Sequence, residues 1–334
     1  MFTGCNNDAG PDVSEIKVDV QTLRFEKDFF ALDTNNLYPG LRALESKYDG
    51  FFRDFMINIL GLPPISDTSV ATLTAVRKFL SDYRPLKDSA DKIFASFNTT
   101  ESEIKKGLQY LKHYFPDYKA PQKIVTFIGP MDAFYEASLG GYGDVLTTDA
   151  LATGLQLHLG SQFSFYHSPM GQALYPDYIS RRFTPGSIPV NCMKNIIDDL
   201  YPEKIVGKPL VEQMIEKGKR LYILDKLIPA ADDTVKIGYT SNQLKGCYAN
   251  EGRIWNFFLT NNFLLTNDPA QLKSYLAESP TTAELGEGAP GNIGLFVGWQ
   301  IVKKYMEKRE TISLQQLLKT DARIIFDDSK YRPK

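Results

Sequence analysis

Residues 290–308 read PGNIGLFVGWQIVKKYMEK. Their apolar side chains recur every three or four positions, which is the spacing that one face of an α-helix produces. The apolar positions are Ile293, Phe296, Val297, Ile301 and Tyr305. Gly294 and Gly298 lie about one turn apart, so the backbone of a second helix can come close. The segment predicts a helix packed closely against a neighbour.

Other segments show the same period. Residues 38–115 are predicted to be largely helical. Residues 209–229 begin with Pro209, a residue favoured at helix starts, and end at Pro229, a helix terminator. Residues 240–265 begin with Thr240 or Ser241 as an N-cap and predict one further helix.

Strand patterns are confined to residues 16–160. Residues 16–20 alternate apolar and polar side chains, residues 122–129 are rich in β-branched residues, and residues 144–160 predict one or two more strands that include His158. The sequence thus predicts three or four strands in a predominantly helical α+β fold with a small sheet. We interpret residues 16–334 as a single domain, because no repeat or low-complexity linker interrupts them.

Composition excludes several classes of protein. The 334 residues are 43% hydrophobic and 23% charged, as in ordinary globular domains. The net charge of −2, without a basic block, argues against nucleic acid as a partner. The apolar run at residues 292–302 has about half of the roughly 20 residues that a membrane-spanning helix needs.

The segment MFTGC at residues 1–5 resembles the end of a bacterial lipoprotein signal, in which small residues precede an acylated cysteine. Thr3 and Gly4 occupy the small positions, and Cys5 is the candidate lipidation site. The charged and apolar parts of a complete signal are missing, so residues 1–15 are interpreted as a lipoprotein-box remnant followed by a flexible tether. An ordinary cysteine in a terminal segment is the alternative.

Familiar catalytic motifs are absent or unconvincing. A G-x-G-x-x-G pattern at Gly286, Gly288 and Gly291 follows no apolar strand, so it indicates a capping loop rather than a dinucleotide site. The three histidines, His113, His158 and His167, do not form a zinc motif, and a packed or hydrogen-bonded role is expected for His158 and His167. No cofactor is predicted.

Two carboxylates interrupt apolar helix faces. Glu251 lies beside Trp255 in NEGRIW and needs a partner there, as an ion pair or as part of a polar pocket with neighbouring tyrosines. Asp225 is expected to form an internal ion pair with a lysine or arginine. Whether Cys192 and Cys247 form a disulfide is left open.

Several segments resemble the gliding-motility lipoprotein GldB family of Bacteroidetes. They include HLGSQFSFYHSPMGQALYPDYISRRF, VNCMKNIIDDLYP, NEGRIW and APGNIGLFVGWQIVKKYMEK, and they cover most of the chain from about residue 120. The resemblance implies an outer-membrane lipoprotein anchored through Cys5. It also implies partners among the envelope proteins of the motility or secretion apparatus.

That family is similar to predicted zinc proteases of the zincin type, whose zinc helix carries His-Glu-x-x-His and whose third ligand is a later glutamate. The resemblance implies a zincin-like fold in which residues 191–195 replace that motif. Both imidazoles and the catalytic glutamate are therefore missing, and Glu251 could match the third ligand. The candidate residues of a degenerate cleft are Asn191, Cys192, Asn195, Glu251 and Trp255.

These observations predict a non-catalytic envelope lipoprotein that uses the cleft for binding or assembly. One alternative is a hydrolase with an atypical centre around Glu251 and Cys192. The other is a carrier of a peptide, a glycan or a small ligand.

Overall fold

A computed structural model describes residues 10–65, 70–132, 143–286, 288–309 and 311–334. Cys5 and residues 1–9 of the predicted tether lie outside the described residues. The chain divides into two compact units. Within the described residues, the sheet unit comprises residues 18–105 and 119–196, and the helical unit comprises residues 10–17, 106–118 and 197–334. The single domain over residues 16–334 stays a prediction.

The sheet unit holds a mixed four-stranded sheet, within the described residues, in the order β1-β2-β4-β3. Its strands are β1 (Gln21–Arg24), β2 (Lys123–Phe127), β3 (Asp144–Leu146) and β4 (Ala150–Gly154). The first two pairs are parallel, with Leu23 opposite Val125 and Val125 opposite Ala152, whereas β3 is antiparallel to β4. The prediction of three or four strands between residues 16 and 160 is confirmed.

Two strand assignments were misplaced. The first strand follows the alternating run at residues 16–20 instead of containing it. The segment LQLHLG is not a strand: Leu155–Leu157 form a turn of 3₁₀-helix, and His158 ends it. The alternation of apolar and polar residues in LQLHLG suggested a strand. A buried 3₁₀ turn can show the same alternation, because its successive side chains contact different neighbours.

Most of the rest of the sheet unit is helical. Its helices are α1 (Phe25–Phe30), α2 (Leu37–Asp54), α3 (Val70–Asp82), α4 (Arg84–Ile93), α5 (Asn98–Tyr114), α6 (Pro169–Leu174), α7 (Asp177–Ser180) and α8 (Ile188–Leu200). Two of them, α5 and α8, each contain a boundary between the two units. A π-helical turn, Phe55–Ile59, continues α2. Phe25 packs edge-on against Tyr48, Phe51 and Phe55. This aromatic core joins α1 to α2.

The helical unit contains the remaining helices. They are α9 (Leu210–Leu227), α10 (Asp233–Ile237), α11 (Ser241–Ala249), α12 (Glu251–Thr260), α13 (Pro269–Leu276), α14 (Ile293–Met306), α15 (Leu314–Lys319) and α16 (Ala322–Ser329). The helix predicted between Pro209 and Pro229 is confirmed as α9. The single helix predicted from residue 240 is two helices, separated at Asn250, although Thr240 does cap the first with a capping box.

Helices α9 and α14 touch backbone to backbone. A Cβ atom added at Gly298 would overlap the Met214 carbonyl, and one added at Gly218 would overlap the Gly298 backbone. The close approach predicted from the glycine spacing of α14 is therefore confirmed. The ion pair predicted for Asp225 is also confirmed: Lys236 Nζ lies 3.3 Å from Asp225 Oδ1, and Trp299 Nε1 donates to Oδ2 at 2.7 Å.

The fold is α+β and predominantly helical, as predicted. None of the helices in the described part of the chain is long and apolar enough to cross a membrane.

Candidate functional site

The sheet unit encloses a group of polar side chains, here called the Asp144 cluster: Asp144, His158, Ser187, Asn191 and Asn195. Asp144 begins β3, and α8 carries the two asparagines one turn apart. Asn191 Nδ2 donates to Asp144 Oδ2 at 2.9 Å, and Asn195 Nδ2 donates to the Asp144 carbonyl at 2.9 Å. Both amides of α8 are therefore bound to one residue of the sheet.

His158 joins the same carboxylate from the other side. Its Nε2 lies 2.8 Å from Asp144 Oδ2, and its Nδ1 lies 3.2 Å from the Thr184 carbonyl and 3.1 Å from Ser187 Oγ. The Asp144 carboxylate can only accept, so His158 Nε2 donates the hydrogen bond between these two side chains. The expected hydrogen-bonded role of His158 is confirmed.

An aspartate, a histidine and a serine in contact invite comparison with a serine-hydrolase triad. Ser187 Oγ donates its only proton to the Thr184 carbonyl at 2.6 Å. Ser187, His158 and Asp144 are all buried. These contacts hold the loop before α8 against the sheet.

Cys192 lies next to the Asp144 cluster and is 1% exposed. Burial, and then the Asp144 carboxylate, raise the pKa of its thiol well above the usual value. Thr153 Oγ1 lies 4.0 Å from its Sγ. A buried protonated thiol is a poor nucleophile, because the thiolate is the reactive form. Cys192 and Cys247 are both free thiols, in different units, which answers the question of their pairing.

The residues at the place of the expected zinc motif do not fit the metal. Zinc sites in proteins use thiolate, imidazole and carboxylate ligands, whereas Asn191 and Asn195 present amide nitrogens that already donate to Asp144. Asp144 Oδ1 is buried and has no hydrogen-bond partner among the described residues, but one carboxylate oxygen is not a site. Within the described ranges, no three histidine, cysteine, aspartate or glutamate side chains could hold a metal ion.

Glu251 and Trp255 belong to the helical unit and meet the end of the chain. The Tyr331 hydroxyl donates to Glu251 Oε1 at 2.6 Å, and the Tyr331 ring packs edge-on against Trp255 at 5.0 Å. Burial and this carboxylate raise the pKa of Tyr331. Glu251 thus has the partner that its position requires, and the partner is a tyrosine hydroxyl rather than a cation. The candidates Asn191, Cys192 and Asn195 lie in the other unit.

The helical unit has a cavity of about 590 Å³, here called the α11–α12 pocket. Its lining residues are Asn242, Gly246, Cys247, Asn250, Arg253, Ile254, Phe257, Glu284, Leu285, Gly288, Ala289, Pro290 and Ile293. Glu251 and Trp255, the α12 residues singled out from the sequence, are not among the residues that line the pocket. The α12 positions that line it follow a spacing of three or four residues from Asn250, which puts Glu251 and Trp255 on another face.

Hydrogen bonds shape the two walls of the α11–α12 pocket. On the helix side, Asn250 Nδ2 donates to the Gly246 carbonyl at 2.9 Å, and Arg253 Nη1 donates to Asn250 Oδ1 at 3.3 Å. On the loop side, Thr282 donates from its hydroxyl to the Pro290 carbonyl at 2.7 Å. Burial raises the pKa of the Cys247 thiol to about 12.

The glycine-rich pattern forms this loop wall. Gly286 and Gly288 have φ values of +92° and +89°, in the left-handed region that favours glycine. A 3₁₀ turn, Ala283–Leu285, precedes the loop in place of the strand that a dinucleotide site requires, and α14 follows it.

Comparison with known proteins gives one match. No curated protein and no solved structure matches the chain. A sequence model of the family described as "Gliding motility protein GldB" matches residues 6–333, which confirms the resemblance over nearly the whole chain. The chain belongs to the GldB family of gliding motility proteins.

Proposed function

We propose that this protein is a non-catalytic outer-membrane lipoprotein that supports gliding motility and the associated protein-secretion machinery by binding other envelope proteins. GldB family membership implies a role in gliding motility, and the family's name indicates a lipoprotein of the cell envelope. The outer membrane, the binding role and the absence of catalysis are parts of the proposal.

The contacts of the Asp144 cluster support the proposal that the protein is not an enzyme. The two asparagines at the place of the zinc-binding histidines donate to Asp144 instead of presenting ligands. Cys192 is buried, and burial raises its pKa. Hydrolysis needs an activated water or nucleophile within reach of a substrate, and these residues supply neither.

We also infer that α8 corresponds to the zinc-binding helix of the zincins. In support, α8 follows the sheet along the chain and carries Asn191 and Asn195 with the spacing of the lost histidines. A degenerate cleft beside this helix would then serve binding or assembly.

The test is complementation in the source organism after deletion of the gene. The wild-type chain should restore gliding. So should Cys192→Ser and Glu251→Gln, because serine fits the small cysteine site and glutamine can still accept the Tyr331 hydrogen bond. Gliding is measured by colony spreading and by tracking single cells, and immunoblots show whether each variant reaches wild-type abundance.

A conservative variant that is as abundant as the wild type and yet abolishes gliding would contradict the non-catalytic role. A deletion strain that glides normally would contradict the motility role. Elemental mass spectrometry of protein incubated with zinc gives an independent check, since about one retained zinc per chain would reopen metal-dependent hydrolysis.

A further inference from the structure

Membership of the GldB family assigns no role to the α11–α12 pocket, and none of the pocket's lining residues belongs to the Asp144 cluster. The pocket's volume of about 590 Å³ lies within the range of roughly 300–1,000 Å³ that is typical of ligand sites. Such sites combine an apolar lining with a few placed polar groups. The nature of those groups indicates which ligand the pocket would take.

The apolar part of the lining can receive a hydrocarbon side chain. Ile254, Cys247 and Ile293 are buried, and Phe257 and Leu285 are half-buried. Gly246 adds no side chain, and a Cβ atom built there meets nothing within 4 Å. The pocket is therefore open beside α11 and apolar beyond it.

Arg253, on α12, places a positive charge at one side of the pocket. Arg253 is exposed, and its one hydrogen bond in the described structure runs from Nη1 to Asn250. A guanidinium has five N–H donors, so the others remain available to a carboxylate, which it binds through two parallel hydrogen bonds.

The remaining polar groups of the pocket favour a peptide over a simple fatty acid as its ligand. Asn242 and Asn250 carry amides, which donate and accept as a peptide group requires. Glu284, exposed on the loop wall, repels a second carboxylate and accepts from N–H groups. A fatty acid would satisfy Arg253, but it has no N–H group for Glu284 and no peptide group for the two asparagine amides.

We propose that the α11–α12 pocket binds the C-terminal end of a peptide whose last residue is apolar. The terminal carboxylate lies on Arg253, the last peptide groups pair with Asn242 and Asn250, and the apolar side chain packs against Ile254 and Phe257. The site goes beyond the proposed function and uses none of the residues of the Asp144 cluster.

Calorimetry on the purified full-length chain tests the site. The probes are tetrapeptides ending in Leu, Ile, Val or Phe, each as the free acid and as the C-terminal amide. The acids should bind about tenfold more tightly than the amides, since one charge-assisted hydrogen bond is lost in the amide. Arg253→Gln should remove this difference by weakening the binding of the free acids more than that of the amides.

Gly246 provides a matched pair of variants. Gly246→Phe should fill the open space and lower the affinity for the free acids about tenfold or more, whereas Gly246→Ala, which adds one methyl group, should lower it far less. Both should fold, because the position is helical and its Cβ direction is empty. Circular dichroism checks this.

Three results would overturn the proposal: no free-acid peptide binds at millimolar concentration, acids and amides bind equally, or decanoate binds more tightly than every peptide. The last would assign the pocket to a lipid. Each result is independent of the gliding assay, so failure of the site and failure of the proposed function are distinguishable.

Discussion

Asp144 is the acceptor on which the polar contacts of the sheet unit converge. Replacing it with alanine leaves the donors of His158 and Asn191 buried without their acceptor. Leaving a buried hydrogen-bond donor without its acceptor costs about 1–3 kcal/mol. We expect Asp144→Ala to lower the free energy of unfolding by this order, as measured by urea denaturation.

Asp82 is the matched control for Asp144. It pairs with Lys78 at 2.6 Å across one helical turn, and both side chains are exposed. Pairs of this kind contribute about 0.3–0.5 kcal/mol. If Asp82→Ala and Asp144→Ala cost the same, the Asp144 cluster would not be a stabilising network.

Glu26 should make stability depend on pH. It is 1% exposed, and burial raises the pKa of its carboxyl above 4.5, although Arg24 at 2.7 Å and the Thr126 hydroxyl oppose the shift. Between 4.5 and the raised pKa the folded state therefore holds more protons than the unfolded chain. The stabilisation from this group is present below 4.5 and is lost as the pH rises through the folded pKa.

Glu26→Gln should remove that contribution, because the amide oxygen still accepts from Thr126 but does not titrate. We expect the stability of the variant relative to the wild type to increase from pH 4.5 towards neutrality. Urea denaturation at a series of pH values measures it. Parallel pH profiles for the two proteins would show that Glu26 has no raised pKa.

At the scale of elements, the contact between α9 and α14 explains the glycine at position 298 of α14. Gly298 lies against the Met214 carbonyl, which is part of a helix backbone and cannot rotate away. Overpacking a tight contact costs about 1–3 kcal/mol, and sometimes more. We expect Gly298→Ala to lower the free energy of unfolding by at least this order.

Gly246→Ala is the control for the helix backbone. Gly246 also lies inside a helix, but its Cβ direction is empty. Alanine favours the helix over glycine by about 0.5–1 kcal/mol, so this variant should be more stable than the wild type. If thermal or urea unfolding shows that Gly298→Ala lowers stability and Gly246→Ala raises it, close packing at Gly298 is the cause of the loss. Equal effects would exclude it.

At the scale of the whole molecule, membrane attachment should depend on Cys5, which lies outside the described residues. One acyl chain binds membranes only marginally, whereas several chains anchor a protein stably. We expect Cys5→Ser to shift the protein from the membrane to the soluble fraction of the envelope. Cys247→Ser, at a buried free thiol, is the control. A Cys5→Ser protein that still fractionates with membranes would contradict lipid anchoring.

The sequence by itself determined the elements whose signal is local. The apolar period of α14, the prolines that bound α9 and the β-branched run of β2 each report one helix or strand, because burial of one face is written into neighbouring residues. The glycines of α14 also predicted a close neighbour. The interruption of an apolar helix face singled out Glu251, whereas the resemblance to the zincin helix singled out Asn191 and Asn195.

Only the tertiary structure decided which residues meet. Asp144, His158 and Asn191 are far apart in the sequence, and Tyr331 lies 80 positions from the Glu251 that it contacts. The structure also breaks the one predicted helix at Asn250 into α11 and α12. Periodicity shows that a face is buried, but the partner on that face is chosen by the packing of the whole chain.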